Sequence, residues 1–166
     1  MYVADFREKD LVNGEGIRVN LFISGCNHKC PYCFSEKFQE KKYGEKWSSH
    51  HEERILAELK SEFCDGLTVL GGEPFDSAEE LIPVLQRIKK AKRDNQTIWI
   101  YSGYTFEEIM QDPFMRCVLA QTDVLVDGRY IHSLNTNDKL YRGSSNQRVI
   151  DVFQSITQGK AIKYME

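Results

Sequence analysis

RVNLFISGCNHKCPYC, residues 18–33, runs from an apolar segment directly into three cysteines, Cys26, Cys30 and Cys33. The first seven residues, RVNLFIS (18–24), have the short, largely apolar character of a strand buried on both faces. The cysteines therefore fall on the loop at a strand's carboxyl end, where parallel α/β folds build their ligand sites. LTVL (67–70), TIWIY (97–101) and DVLV (123–126) have the same character. Between them, HEERILAELKSEF (51–63) places Ile55, Leu56, Leu59 and Phe63 on one helical face, and SAEELIPVLQRIKKAK (77–92) does so with Leu81, Val84, Leu85 and Ile88. Ser77 with Glu80, and Thr105 with Glu108, have the spacing at which side chain and backbone reciprocally satisfy the free N–H groups of a helix start. Pro83 predicts a kink or a later start in the second helix.

Alternating strands and helices predict an α/β fold: a parallel sheet joined by right-handed crossovers and covered by helices. A complete eightfold barrel takes roughly 250 residues, and the chain has 166. An incomplete β/α barrel or a small doubly wound sheet remains, as one domain over residues 1–166. The stretch from Asp127 onward is polar, with RGSSNQR (142–148) expected as a loop.

With 22 Lys+Arg against 25 Asp+Glu, the net charge is -3, so no basic surplus marks a nucleic-acid binder. No apolar run reaches the length of a signal-peptide core or a membrane span, so the expectation is a cytoplasmic protein with no membrane and no nucleic-acid partner. Thiols stay reduced there, and five cysteines with three in one short loop read as ligands or catalysts rather than disulfides.

Thiolates bind zinc and iron–sulfur clusters alike, but structural zinc takes four ligands, usually as two knuckles. One knuckle is present. Cys64, Cys117, His28, His50, His51 or His132 are the residues that would have to complete a zinc site in a binding module without chemistry. Alternatively, a [4Fe–4S] cube on three cysteines leaves one iron open to a small ligand. Cys64 and Cys117 are otherwise expected as small buried hydrophobes. His50 and His51, and the basic run Lys89, Lys90, Lys92 and Arg93, are expected in solvent.

Cys26-x3-Cys30-x2-Cys33, with Tyr32 before the last cysteine, resembles the signature of the radical S-adenosylmethionine enzymes. Gly71-Gly72-Glu73-Pro74, directly after LTVL, resembles that family's GGEP motif. Val12-Asn13-Gly14-Glu15-Gly16-Ile17-Arg18, WIYSGYTFEEI (99–109), VLVDGRY (124–130) and RGSSNQR are similar to segments of the activating proteins of anaerobic ribonucleotide reductases. The resemblance implies the truncated barrel of the radical S-adenosylmethionine type. It implies a [4Fe–4S] cluster at a catalytic centre of Cys26, Cys30 and Cys33, with S-adenosylmethionine on the open iron. Its reductive cleavage would give a 5′-deoxyadenosyl radical that takes hydrogen from a glycine of the reductase's large subunit. An external one-electron donor such as flavodoxin is implied too.

On the same resemblance Gly71, Gly72, Glu73 and Pro74 hold the methionine ammonium, and Tyr32, Cys33 and Phe34 lie beside the open iron, against the adenine or as a cover over the cluster. Ser102, Gly103, Asp127 and Arg129 lie at or after the third and fourth strand ends and so face the same mouth, with Arg129 suited to the cofactor carboxylate or to a surface pair with Asp127. Gly14, Gly16 and Arg18 read as a turn into the strand, or by resemblance as part of a partner-facing loop, and RGSSNQR is a further interface candidate. Two departures are visible: Cys33-Phe34-Ser35 stands where the family often has Cys-Tyr-Asn, and Tyr101-Ser102-Gly103-Tyr104 where it has Trp-Thr-Gly-Tyr. A formate-lyase-type activase, which usually carries Asp-Thr-Asn-Gly at Ile100-Tyr101-Ser102-Gly103, and a deazaguanine-type synthase are the rival enzymes.

Overall fold

A computed structural model describes residues 1–165. In chain order the elements are β1 (Tyr2–Asp10), β2 (Arg18–Ile23), β3 (Glu45–Lys46), α1 (Ser49–Leu59), β4 (Gly66–Gly71), α2 (Ala78–Ala91), β5 (Thr97–Tyr101), α3 (Phe106–Ile109), α4 (Pro113–Leu119), β6 (Val124–Asp127), β7 (Arg148–Asp151) and α5 (Val152–Gln158). The strands form one sheet in the order β3-β1-β2-β4-β5-β6-β7. Its four middle strands are parallel, as their apolar runs predict. The edges correct the all-parallel expectation: β1 pairs antiparallel with β2, β3 with β1, and β7 with β6. The fold is a mixed α/β sheet.

Alternation along the strands sorts the side chains into two layers. Val19, Leu21 and Ile23 of β2, Leu67 and Val69 of β4, and Ile98 and Ile100 of β5 join one continuous core with Ile55, Leu81, Leu85, Ile88, Phe106, Ile109, Val118 and Val152 of the helices. All five helices thus bury their apolar residues in the same cluster, which excludes a doubly wound arrangement with helices on both faces. The other face carries Trp99, Val124, Val126 and Val149. Tyr141 and Tyr164 cover Trp99 there, ring centroids 5.2 and 5.7 Å away.

Arg18, expected in a turn, is instead buried among the amino-terminal ends of three parallel strands. Its guanidinium donates to the carbonyls of Leu67 and Thr97 at 2.9 and 2.6 Å and to Thr68 Oγ1 at 2.7 Å, under the ring of Trp99. Burial lowers its pKa to about 10.

α2 passes through Pro83 without a break in its assigned span, the ring standing on the exposed face. Ser77 makes no side-chain cap; a 3-10 turn, Pro74–Ser77, leads into the helix instead, and Glu80 pairs with the Met1 amine. Thr105 and Glu108 do form the expected box. α1 starts earlier than expected, capped by Ser48 with His51, so His51 is buried rather than solvated. It also ends before Phe63, which is exposed. Arg93 holds the carbonyls of Ser61 and Cys64, and Lys92 that of Gln96, so this end of the basic run is structural. No helix among the described residues is long and apolar enough to cross a membrane.

Candidate functional site

The cysteine loop leaves β2 at Ser24 and is sewn into the sheet by main-chain bonds. Gly25 donates to Phe38 O, Cys26 to Gln39 O, and Glu73 N returns to Gly25 O. Lys29 and Tyr32 sit in the left-handed region, with φ 49° and 57°, at a cost of roughly 1–2 kcal/mol each. Cys26, Cys30 and Cys33 are partly buried free thiols lining one open cleft with Gly71, Gly72, Glu73, Ser102 and Gly103. The expected residues of the first, second and third parallel strand ends therefore meet. Burial pushes the Cys26 thiol up, and burial followed by neighbouring Cys33 does the same at Cys30. Binding a metal would have to displace those protons.

The GGEP turn packs directly on the cysteine loop. A Cβ on Gly72 would stand 2.3 Å from Gly25 O and 2.7 Å from Phe38 O, and one on Gly71, at φ 115°, 2.6 Å from Ile23 O. The glycines thus serve the close packing of the turn on the cysteine loop and on the end of β2. Glu73 is fully buried and Pro74 opens the following turn. The Glu73 carboxylate accepts from Ser102 Oγ at 2.9 Å and Phe75 N at 3.1 Å through Oε1, and from Gly103 N at 2.7 Å through Oε2. His28 Nε2 completes the set, 3.0 Å from Oε2.

Other expected residues lie further out. Tyr32 and Phe34 are exposed and pack at a tilt against His132 and Tyr130, centroids 4.6 and 5.0 Å apart. Phe34 lines a second cleft that shares Cys33, Ser35, Tyr101, Tyr130 and Gln147 with the first. Arg129 is exposed, its Nε donating to His28 Nδ1 at 3.2 Å and its NH2 3.8 Å from Glu108; it lies outside the lining of the cysteine cleft. Cys64 is buried beside Gly66, as expected, whereas Cys117 is exposed on α4. Neither lines the cysteine cleft. Among the described residues no three His, Cys, Asp or Glu side chains converge on a single-ion position. A four-iron cube distributes its thiolates over separate irons.

The sequence reading weighed His28 only as a zinc ligand and gave Asp76 and Tyr104 no role, yet all three belong to the site. Besides His28, Asp76 accepts from the Asn27 N–H at 2.8 Å and from the Tyr104 hydroxyl at 2.9 Å, joining the cysteine loop to the segments after β4 and β5. Asn27 and His28 fill variable positions of the cysteine spacing, so no motif singles them out.

Comparison with known proteins matches residues 12–150 to a family described as a 4Fe-4S single cluster domain. Curated relatives named anaerobic ribonucleoside-triphosphate reductase-activating protein align along most of the chain. That of Haemophilus influenzae is 37% identical over 142 residues, covering 83% of this chain and 90% of the relative. That of Enterobacteria phage T4 is 37% identical over 141 residues, covering 84% and 87%, and that of Escherichia coli K12 is 32% identical over 144, covering 84% and 92%. The chain belongs to the family of anaerobic ribonucleoside-triphosphate reductase-activating proteins. The region matched as a single-cluster domain contains the cysteine loop, the GGEP turn and the strand ends around them. The family match thereby supports an iron–sulfur cluster in this chain.

Proposed function

We propose that this protein activates an anaerobic ribonucleotide reductase by radical S-adenosylmethionine chemistry. The observation that carries the reading is the union, in one cleft, of three free thiols and the buried Glu73 carboxylate, each delivered by the carboxyl end of a neighbouring parallel strand.

The residues fit a [4Fe–4S] cluster with an open corner: Cys26, Cys30 and Cys33 offer three thiolates, while His28, between them in sequence, has both ring nitrogens engaged. When bound, the cluster and S-adenosylmethionine would supply one-electron cleavage of the cofactor's C5′–S bond, yielding methionine and a carbon radical able to take hydrogen from a glycine α-carbon. Glu73 is the group to receive the cofactor's ammonium, held in place by Ser102 and the Gly103 N–H. Gly71, Gly72 and Pro74 set the turn that presents it. Cys33 and Phe34 line the second cleft, where a glycine-bearing loop of the reductase's large subunit would approach, and Tyr32, just before them in sequence, stands exposed. Arg129 acts on the cofactor carboxylate only if it leaves His28 and Glu108. The helices all on one face accord with a partial barrel of the radical S-adenosylmethionine type. One-electron reduction requires a donor protein, for which a flavodoxin is the proposed class.

The test is anaerobic reconstitution with iron and sulfide, followed by reductant and S-adenosylmethionine and chromatography for 5′-deoxyadenosine. The expected result is product from the wild-type chain, none from Cys30→Ala, and a glycyl radical signal when the reductase is added. Cleavage by Cys30→Ala at the wild-type rate would overturn the cluster assignment.

A further inference from the structure

We propose that His28 is a positioning residue that locks the cysteine loop to Glu73, keeping the thiols and the cofactor-binding carboxylate in fixed register; this rests on the function proposed above. Arg129 Nε always carries hydrogen, so His28 Nδ1 is the acceptor in that 3.2 Å contact and Nε2 carries the ring's hydrogen toward Glu73 Oε2. The imidazole side chain is 5% exposed and the carboxylate 0%, so this bond is made out of water, where a hydrogen bond to a charged group contributes most.

The surroundings are shaped to the ring. A Cβ on Gly103 would lie 2.4 Å from His28 Cδ2, so only glycine leaves room for it. Tyr104 packs edge-on with centroids 4.3 Å apart. The hydroxyl of that same tyrosine binds Asp76, whose other oxygen accepts from the residue preceding His28. Loop, turn and strand end are therefore cross-braced at two adjacent positions, and His28 alone of the two reaches the carboxylate with its side chain.

Glu73 keeps three other donors, so loss of the imidazole leaves a folded protein with its thiols intact. The experiment compares wild type, His28→Gln, which retains a side-chain N–H donor, and His28→Leu, which retains bulk without one. Each is reconstituted anaerobically, assayed for iron and sulfide, and titrated with S-adenosylmethionine by equilibrium dialysis and by the electron paramagnetic resonance spectrum of the reduced cluster. All three should load equal iron and sulfide. His28→Leu should bind S-adenosylmethionine about tenfold more weakly and show a smaller cofactor-dependent spectral change, with His28→Gln restoring most of both. Wild-type affinity in His28→Leu would overturn the proposal, as would equal weakening in the two variants, which would make the ring's shape, not its donor, the determinant. A wild-type protein that loads the cluster and binds no S-adenosylmethionine would overturn the functional reading and this inference together.

Discussion

Arg148 clasps Asp127 across the antiparallel pair β6–β7: its Nε donates to Oδ1 at 2.9 Å and its NH2 to Oδ2 at 2.5 Å, while Asp127 Oδ2 also accepts from the Phe106 N–H at α3. Glu107, on α3, binds the same guanidinium through both oxygens. The polar segment after β6 is thereby fastened to the parallel part of the sheet.

That clasp predicts a pH dependence. The Arg148 hydrogen bond holds the Glu107 carboxyl below its ordinary value of 4.5. A carboxyl depressed in the folded state contributes stability that is present above about pH 4.5 and is lost as pH falls through the folded pKa. Because Glu107 is largely exposed, the contribution is about 0.5 kcal/mol. Thermal unfolding of Glu107→Gln should show a deficit of that size at pH 7 which closes as both proteins are titrated toward pH 3; a constant deficit across the range would disprove it.

Gly72→Ala should be far worse than Gly159→Ala. The first drives a Cβ into two carbonyl oxygens of the cysteine loop, whereas the second, at φ 67°, meets open space. Strain of the left-handed conformation alone costs about 1 kcal/mol at Gly159, against about 3 kcal/mol or more for the backbone collision at Gly72. Urea unfolding of the two variants checks the order, and Gly72→Ala should also fail to retain iron.

Arg18→Lys is expected to lose about 3 kcal/mol, because an ammonium cannot span carbonyls on two strands as the guanidinium fork does. A denaturation midpoint unchanged from wild type would show that the buried guanidinium is replaceable.

Tyr104→Phe removes the hydroxyl from Asp76 and leaves the ring packing on His28. Its expected cost is about 1 kcal/mol, a fall in Tm of roughly 2–4 °C for a chain of this size. A null result in calorimetry would mean that the Asp76 contact is solvent-equivalent.

The four parallel strands were legible because each is buried on both faces and so carries an unbroken apolar run. β1 was hidden by its composition: ADFREKD (4–10) alternates poorly, since the two-residue β3 covers only its first residues and the rest is largely solvated, a setting that needs few apolar residues. β7 is only four residues long and lies beside a polar loop. The thiols and GGEP residues could be read from spacing, because cluster ligands need defined offsets. His28, Asp76 and Tyr104 could not, because their roles arise from contacts 28 to 49 residues apart in sequence. Arg18 was misplaced for a related reason: a charged residue beside two glycines resembles a turn until the three strand ends it bridges are assembled.

Arg18 and Trp99 have one more consequence. They fill the sheet at the amino-terminal ends of the strands, while the thiols lie at the opposite ends. The buried Arg18 and Trp99 close the sheet at one end, and the cysteine cleft opens at the other. Under the function proposed above, cofactor and partner both come to that end of the sheet, so the end that does the chemistry and the end that ties the strands together are separate.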